Sequence, residues 1–265
     1  MSQPSRPRFD RRKALIAIGA ALASPALTGR AGAHAIPASF GGDGPVTRGA
    51  DVTVQRVNTR QPLVALTFDD GPHPRLTPQL LDILSAANVR ATFYMIGRSV
   101  ARHPQLAARV AAEGHEIGNH TWSHPNLTGR SDAGVLDQID RTSIAIQEAV
   151  GRPPVTMRPP YGNFHDRQRL MLFRERNLPT VLWSVDPQDW QRPGATVVTQ
   201  RIVRSAHPGA VVLAHDIHGP TIRAMPSTIS DLAARGFRFV TVSELIGWPR
   251  WDQRRIRLAA RSPRD

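Results

Sequence analysis

Leu63-Val64-Ala65-Leu66-Thr67-Phe68-Asp69-Asp70-Gly71-Pro72 is an apolar run that ends in two adjacent carboxylates and a turn. Leu63 to Phe68 has the length and composition of a β-strand. In a regular strand Asp69 and Asp70 would point to opposite faces. Both can serve one site only where the chain leaves strand geometry, and Gly71-Pro72 supplies such a turn. The plainer alternative is that one of the two aspartates merely caps that turn.

Beyond this segment, strand-length apolar runs alternate with helical patterns. Thr77 to Ala87 and His103 to Glu113 are predicted helices, with a strand from Ala91 to Ile96 between them. Helices follow near Asp132 to Val150 and Asp166 to Arg176, and strands near Thr180 to Val185 and Ala210 to Ala214. A last helix, Thr221 to Arg235, precedes a strand at Phe237 to Val242, where Ser243 could cap a short terminal turn. This is the alternation of a parallel β/α fold, with too few clean units for a regular eight-fold barrel. Catalytic residues of such folds gather where strands end and loops begin, so motifs far apart in sequence can meet at one barrel mouth.

The 265 residues, 40 % of them hydrophobic, suffice for one sizeable core. The chain has no cysteine, which excludes disulfides, thiolate metal sites and a cysteine nucleophile. Any metal must therefore sit on His and carboxylate. The first 35 residues have the pattern of an export signal: basic residues including Arg11-Arg12-Lys13, an apolar run from Ala14 to Leu27, and small residues ending in Ala33-His34-Ala35. The paired arginines and the mild apolar run favour the twin-arginine route, with an ordinary Sec signal or an uncleaved anchor as alternatives. Cleavage after Ala35 removes six basic residues and one acid, lowering the net charge from +13 to +8. Residues 36–59 read as a linker and N-terminal extension, with folding expected from near Val52, and 249–265 as a basic tail. That tail is a solvated end or a patch drawn to anionic envelope polymers, and no motif supports nucleic-acid binding.

Five short motifs carry the chemistry: Thr67-Phe68-Asp69-Asp70-Gly71, His120-Thr121-Trp122-Ser123-His124, Arg158-Pro159-Pro160-Tyr161-Gly162, Asp186-Pro187-Gln188-Asp189-Trp190 and Leu213-Ala214-His215. His120 and His124 have a spacing that on a helical turn puts both imidazoles on one face. Thr121 stands where a zincin protease needs glutamate, and Ser123 lacks the glycines of a nucleophile elbow. Through these five motifs the chain resembles the polysaccharide deacetylase family, also known as the NodB-homology family or carbohydrate esterase family 4. The resemblance runs from about Pro62 to Trp248, with residues 60–248 as the catalytic domain. It implies a distorted (β/α) barrel of about seven strands, an α/β fold.

The resemblance assigns Asp70, His120 and His124 to one divalent metal ion, zinc by default, with cobalt, manganese or iron suited to the same ligands. It makes Asp69 the general base and His215 the acid that protonates the leaving nitrogen. Asp189 becomes the partner of His215, and Arg158 the group that holds Asp69 in place. Tyr161 would offer its backbone N–H to the oxyanion, and Trp190 and Leu213 would shape the sugar pocket, although Trp190 could equally be core. His218 invites reading as part of a second metal site, but one acid on a strand-end loop is simpler. His73, His115 and His165 are expected to be structural or rim residues, and Trp122, Pro125 and Asn126 to fix the loop of the two ligands.

The expected function is an exported, metal-dependent hydrolase that removes N-acetyl groups from N-acetylglucosamine residues of an oligo- or polysaccharide. The rivals are an O-acetyl esterase acting on xylan and a non-catalytic glycan-binding protein of the same fold. The expected partner is the acetylated glycan, with no membrane span after signal removal. Oligomeric state is not legible in the sequence.

Overall fold

The computed structural model describes residues 52–248. The expected export signal, most of the linker and the basic tail lie outside the described residues. Seven strands occur among these residues: β1 (Thr53–Val54), β2 (Leu63–Asp69), β3 (Thr92–Met95), β4 (Glu116–Asn119), β5 (Thr180–Val181), β6 (Ala210–His215) and β7 (Arg238–Phe239). Eight helices accompany them: α1 (Leu76–Ala86), α2 (Gly97–Arg102), α3 (Pro104–Ala112), α4 (Asp132–Val150), α5 (Asp166–Arg176), α6 (Ala195–Ser205), α7 (Gly219–Ala234) and α8 (Val242–Leu245). The architecture is α/β, and every pairing between named strands is parallel.

All seven residues of β2 are buried, as expected of a strand covered on both faces. Its period-two alternation sorts them. Val64, Leu66 and Phe68 join Phe93 and Met95 of β3, Val212 of β6, and Leu80, Leu81 and Leu84 of α1 in the main apolar core. Leu63, Ala65, Thr67 and Asp69 belong to the other face, which turns polar toward the end of the strand. Strand order is β4-β3-β2-β6, with β7 beside the start of β2, and β1 pairs with β5. Single bridges, Asn119 to Met157, Met157 to Thr180 and Val185 to Val212, carry the ring from β4 round to β6. The result is a distorted (β/α) barrel. Within 36–59, Thr53–Val54 thus contributes a strand to the fold.

Register fixes the mouth. Asp69 lies opposite Tyr94 on one side and His215 on the other. Two residues of the expected chemistry therefore end adjacent strands at the same level. In the same register Gly118 lies opposite Tyr94, and a Cβ there would overlap the Tyr94 ring, so only glycine lets β4 lie against that side chain.

Several elements differ from expectation. The strand expected over Thr180 to Val185 is regular only at Thr180–Val181. The carbonyls of Val181 and Leu182 accept hydrogen bonds from the Arg158 side chain, at 3.2 and 3.0 Å, and are thereby diverted from a strand ladder. The strand expected from Phe237 to Val242 is confined to Arg238–Phe239, because Thr241 already caps α8. Thr241 and Glu244 form a reciprocal capping box, so Thr241 takes the role expected of Ser243. Strand β4 and helices α2 and α6 had no counterpart in the sequence reading. The expected helices over α1, α3, α4, α5 and α7 are present within a few residues at each end.

Candidate metal and proton-transfer site

Asp69 closes β2, and Asp70 then adopts a left-handed backbone conformation with φ of 76°. This is the departure from strand geometry that two adjacent carboxylates need to face one cleft. The Asp70 N–H donates to the Tyr94 carbonyl at 3.2 Å, and the Gly71 carbonyl accepts from the Ile96 N–H at 3.0 Å. The turn is thus tied to β3 and the residues just beyond it.

His120 and His124 do not lie on a helical turn. They occupy the loop between β4 and α4, in which Thr121 and His124 both have positive φ. Side chains shape this loop: Asn119 Oδ1 accepts the Thr121 N–H, Thr121 Oγ1 accepts the His124 N–H, and Gln138 Oε1 accepts the Ser123 N–H. The guanidinium of Arg141 stacks on Trp122, 4.2 Å from the ring centre. The imidazoles nonetheless converge, with ring centres 5.0 Å apart. His120 Nδ1 lies 2.7 Å from the Arg158 carbonyl oxygen. A carbonyl only accepts, so Nδ1 is the donor, and in the neutral ring Nε2 keeps its lone pair for a ligand.

Asp70 Oδ1 lies 3.4 Å from His120 Nε2 and 3.3 Å from His124 Nε2. It is buried and lacks a hydrogen-bond partner among the described residues. Donors bound at ~2.0–2.1 Å to one tetrahedral ion stand about 3.4 Å apart, the spacing seen here. The residues fit a divalent cation, and they are the sole His, Cys, Asp or Glu cluster of this kind among the described residues. Burial would raise the Asp70 pKa, but the close approach of His120 and the neighbouring imidazoles of His124 and His215 bring it down to about 2. Burial depresses His124, helped by the charge of His120. For His120, burial is outweighed by Asp69 and Asp70, and its pKa lies above the ordinary value.

Two further pairs stand beside the ligands. Arg158, fully buried, donates through one nitrogen to Asp69 Oδ1 and to Thr67 Oγ1, each at 2.7 Å. Its guanidinium lies over the Tyr94 ring, 4.2 Å from the centre. His215 Nδ1 meets Asp189 Oδ1 at 2.8 Å. The second Asp189 oxygen accepts the His215 N–H at 2.8 Å and the Thr221 hydroxyl at 2.7 Å. Burial works against a charged imidazole, yet the Asp189 hydrogen bond and charge prevail and lift His215 to about 9. Burial would likewise raise Asp189, but the same bond holds it below the usual carboxylate range.

Asp69, Asp70, His120, His124 and His215 line a cleft of ≈ 500 Å³, with Arg158 and Asp189 as partners of Asp69 and His215. Tyr161 and Trp190 also line it while remaining 64 % and 55 % exposed. Trp190 is therefore not core. Tyr161 has φ of 61° and sets its ring edge against His124, centres 4.7 Å apart. Leu213 is buried and forms part of the wall. Sequence reasoning did not place Trp183 and Asp186 in this cleft, although both lie in the run leading to Asp189. His218 lines it too, its ring centre 5.9 Å from that of His215, without joining a second metal cluster. His73 and His165 cap helices α1 and α5, and His115 accepts the Ala91 N–H in the core.

The sequence profile described as polysaccharide deacetylase matches residues 56–174. A chitooligosaccharide deacetylase of Bradyrhizobium sp. (strain ANU 289) is 40 % identical, over 69 % of this chain and 90 % of the relative. The solved Bc1960 peptidoglycan N-acetylglucosamine deacetylase is 35 % identical with a TM-score of 0.72, over 75 % of this chain and 94 % of the other. This chain belongs to the polysaccharide deacetylase family, carbohydrate esterase family 4. It is also 44 % identical to the peptidoglycan-N-acetylglucosamine deacetylase PgdA of Listeria monocytogenes, over 69 % of this chain but only 39 % of that protein. The chain thus matches about two-fifths of the length of this longer relative.

His120→Ala is expected to weaken binding of a divalent ion by on the order of 100-fold or more, because a ligand is lost. Asp69→Asn should keep the ion at near wild-type affinity. Chelator competition followed by elemental analysis measures both, and equal losses in the two variants would contradict the division between Asp70 and Asp69.

Proposed function

We propose that this protein is an exported, zinc-dependent deacetylase that hydrolyses the N-acetyl group of N-acetylglucosamine residues in a glycan and releases acetate. One observation carries this reading: a carboxylate and an imidazole, each with its own dedicated partner, flank a three-donor metal site without belonging to it. Hydrolysis of an amide needs both, since water must lose a proton and the nitrogen must gain one.

Asp70, His120 and His124 would hold the ion, which when bound supplies Lewis acidity and makes water more acidic. Asp69, fixed by Arg158, takes the proton from the attacking water. Attack at the acetyl carbon converts its carbonyl oxygen to an oxyanion, for which the Tyr161 backbone N–H is the proposed donor. His215, its pKa lifted by Asp189, gives a proton to the nitrogen as the C–N bond breaks. The products are acetate and a free amine. Tyr161 and Trp190 offer exposed aromatic faces suited to the apolar side of a pyranose ring. The substrates in the names of the relatives, peptidoglycan and chitooligosaccharide, support N-acetylglucosamine in either polymer as the substrate. No helix among the described residues is long and apolar enough to cross a membrane. Export rests on residues 1–35 of the sequence, and confinement of the full-length chain to the cytoplasmic fraction would contradict it.

An O-acetyl esterase of this fold would need the acid less, because an alkoxide departs more readily than an amide anion. The Asp189 carboxylate, which raises the His215 pKa and fixes its ring, favours the amide. Metal-stripped protein should release little acetate from N-acetylglucosamine oligomers or peptidoglycan, and added zinc should restore release. Release from acetylated xylan alone would move the assignment to the esterase. His215→Ala should slow amide cleavage by roughly 100-fold or more and ester cleavage by less.

The pH profile gives an independent check. Protonated His215 is the active form, so kcat/KM should fall as pH rises toward about 9. A bound dication repels the imidazolium and draws that limb lower. Asp189→Asn removes the charge that raises His215 and should shift the alkaline limb to lower pH; an unmoved limb would remove His215 from the role of acid.

A further inference from the structure

Asp216 is a fully buried carboxyl group with no part in the chemistry described above. Its position follows from register. Asp69 and His215 are the last pair between β2 and β6, and the next residue of each strand leaves the ladder. Asp70 turns to the metal site, and Asp216 comes to lie against the turn that follows Asp70.

Two contacts define that position. A Cβ on Gly71 would overlap both Asp216 carboxyl oxygens, so the carboxyl lies directly against the Gly71 α-carbon. The Thr77 hydroxyl donates to Asp216 Oδ2, and the same hydroxyl oxygen accepts the His73 N–H at 2.7 Å. The Thr77 N–H closes the other side of this turn on the His73 carbonyl at 3.1 Å. Asp216 therefore touches the turn at its start, Gly71, and holds it at its end, Thr77. From the opposite direction the turn is tied through Asp70 and Gly71 to Tyr94 and Ile96.

A buried carboxyl is a costly way to fill space. Asp216 Oδ1 has no hydrogen-bond partner among the described residues, and burial pushes the group up to about 7. An aliphatic side chain would pack there at lower cost but could not receive the Thr77 hydroxyl. We propose that Asp216 is a positioning residue of the metal centre: its carboxyl latches the turn from Gly71 to Thr77 and so fixes the direction in which Asp70 presents its oxygens to His120 and His124. The inference rests on the reading of Asp70 as a metal ligand. It joins the strand that carries the acid to the turn that carries the ligand.

The test compares zinc affinity by chelator competition, kcat and KM for an N-acetylglucosamine oligomer, and the melting temperature of metal-free protein, all in the full chain. Asp216→Ala should lose about 10- to 100-fold in zinc affinity and in kcat, as removal of a group that orients a ligand does. Its KM should stay within about threefold of wild type, since the sugar-facing walls are untouched. Asp216→Asn, which keeps the shape and an acceptor for Thr77, should recover most of the affinity. Gly71→Ala forces the same displacement from the other side and should show a comparable loss. In the double variant Gly71→Ala, Asp216→Ala the added methyl occupies the vacated space, so the losses should not add.

Wild-type zinc affinity and kcat in a folded Asp216→Ala would overturn the inference, as would simple additivity in the double variant. Should Asp216→Ala fail to fold, Asp216→Asn and Gly71→Ala decide: unchanged zinc affinity in Gly71→Ala, or a loss in Asn as deep as that in Gly71→Ala, overturns it. Failure of the wild-type chain to bind zinc would instead refute the metal-site reading on which the latch depends.

Discussion

A single buried guanidinium organises this site. Arg158 is withdrawn entirely from solvent, a position that is tolerable only when its donors are answered. The answers come from Asp69 and Thr67 on β2 and from the carbonyls of Val181 and Leu182. Its aromatic support comes from Tyr94 on β3. Its own carbonyl accepts from His120. The side chain of one residue thereby fixes the proposed base, while its main chain orients a proposed ligand. Removing it would leave a buried carboxylate without its cation, which is a larger loss than any one hydrogen bond.

This arrangement explains how neighbouring aspartates come to differ. Asp69 keeps the inward direction of β2 and meets the cation. Asp70 takes a left-handed conformation and turns an unpartnered oxygen toward two imidazoles. The distinction lies in backbone direction and in neighbours rather than in residue type. Across β6 a similar separation holds: His215 faces the cleft with Asp189 behind it, while Asp216 faces the turn below. Adjacent residues at the ends of two paired strands are thus divided between chemistry and support.

Much of this was legible because it is local. The β2 run and the helix over α4 announce themselves through apolar pattern, and in the structure Ser131 caps the start of α4 and Gly151 its end. The proposed ligands and proton-transfer groups were carried by the family resemblance of five motifs, and in the structure Asp69, Asp70, His120, His124 and His215 share one cleft, with Arg158 and Asp189 as partners of Asp69 and His215. What stayed hidden depends on partners distant in sequence. Strand β4 has only four residues, Glu-Ile-Gly-Asn, and its Glu116 is buried because Thr92, Thr156 and the Ser243 N–H surround it. Strand β5 is cut short by an arginine more than twenty residues upstream. The His120 and His124 spacing pointed to a helical turn, but Asn119, Thr121 and Gln138 shape a loop instead. Gly71 gave a turn but not its close approach to Asp216, which only register across β2 and β6 brings about.

The central claim is that one divalent ion sits on two imidazoles and one carboxylate, with Asp69 and His215 left free for protons. X-ray absorption at the zinc edge of the zinc-loaded full chain tests it most directly. The account predicts two imidazole nitrogens at about 2.0–2.1 Å, with the remaining donors oxygen. A shell built from oxygen alone, or one with a third imidazole, would contradict it, since the first leaves His120 and His124 unused and the second draws a further histidine such as His215 into the metal.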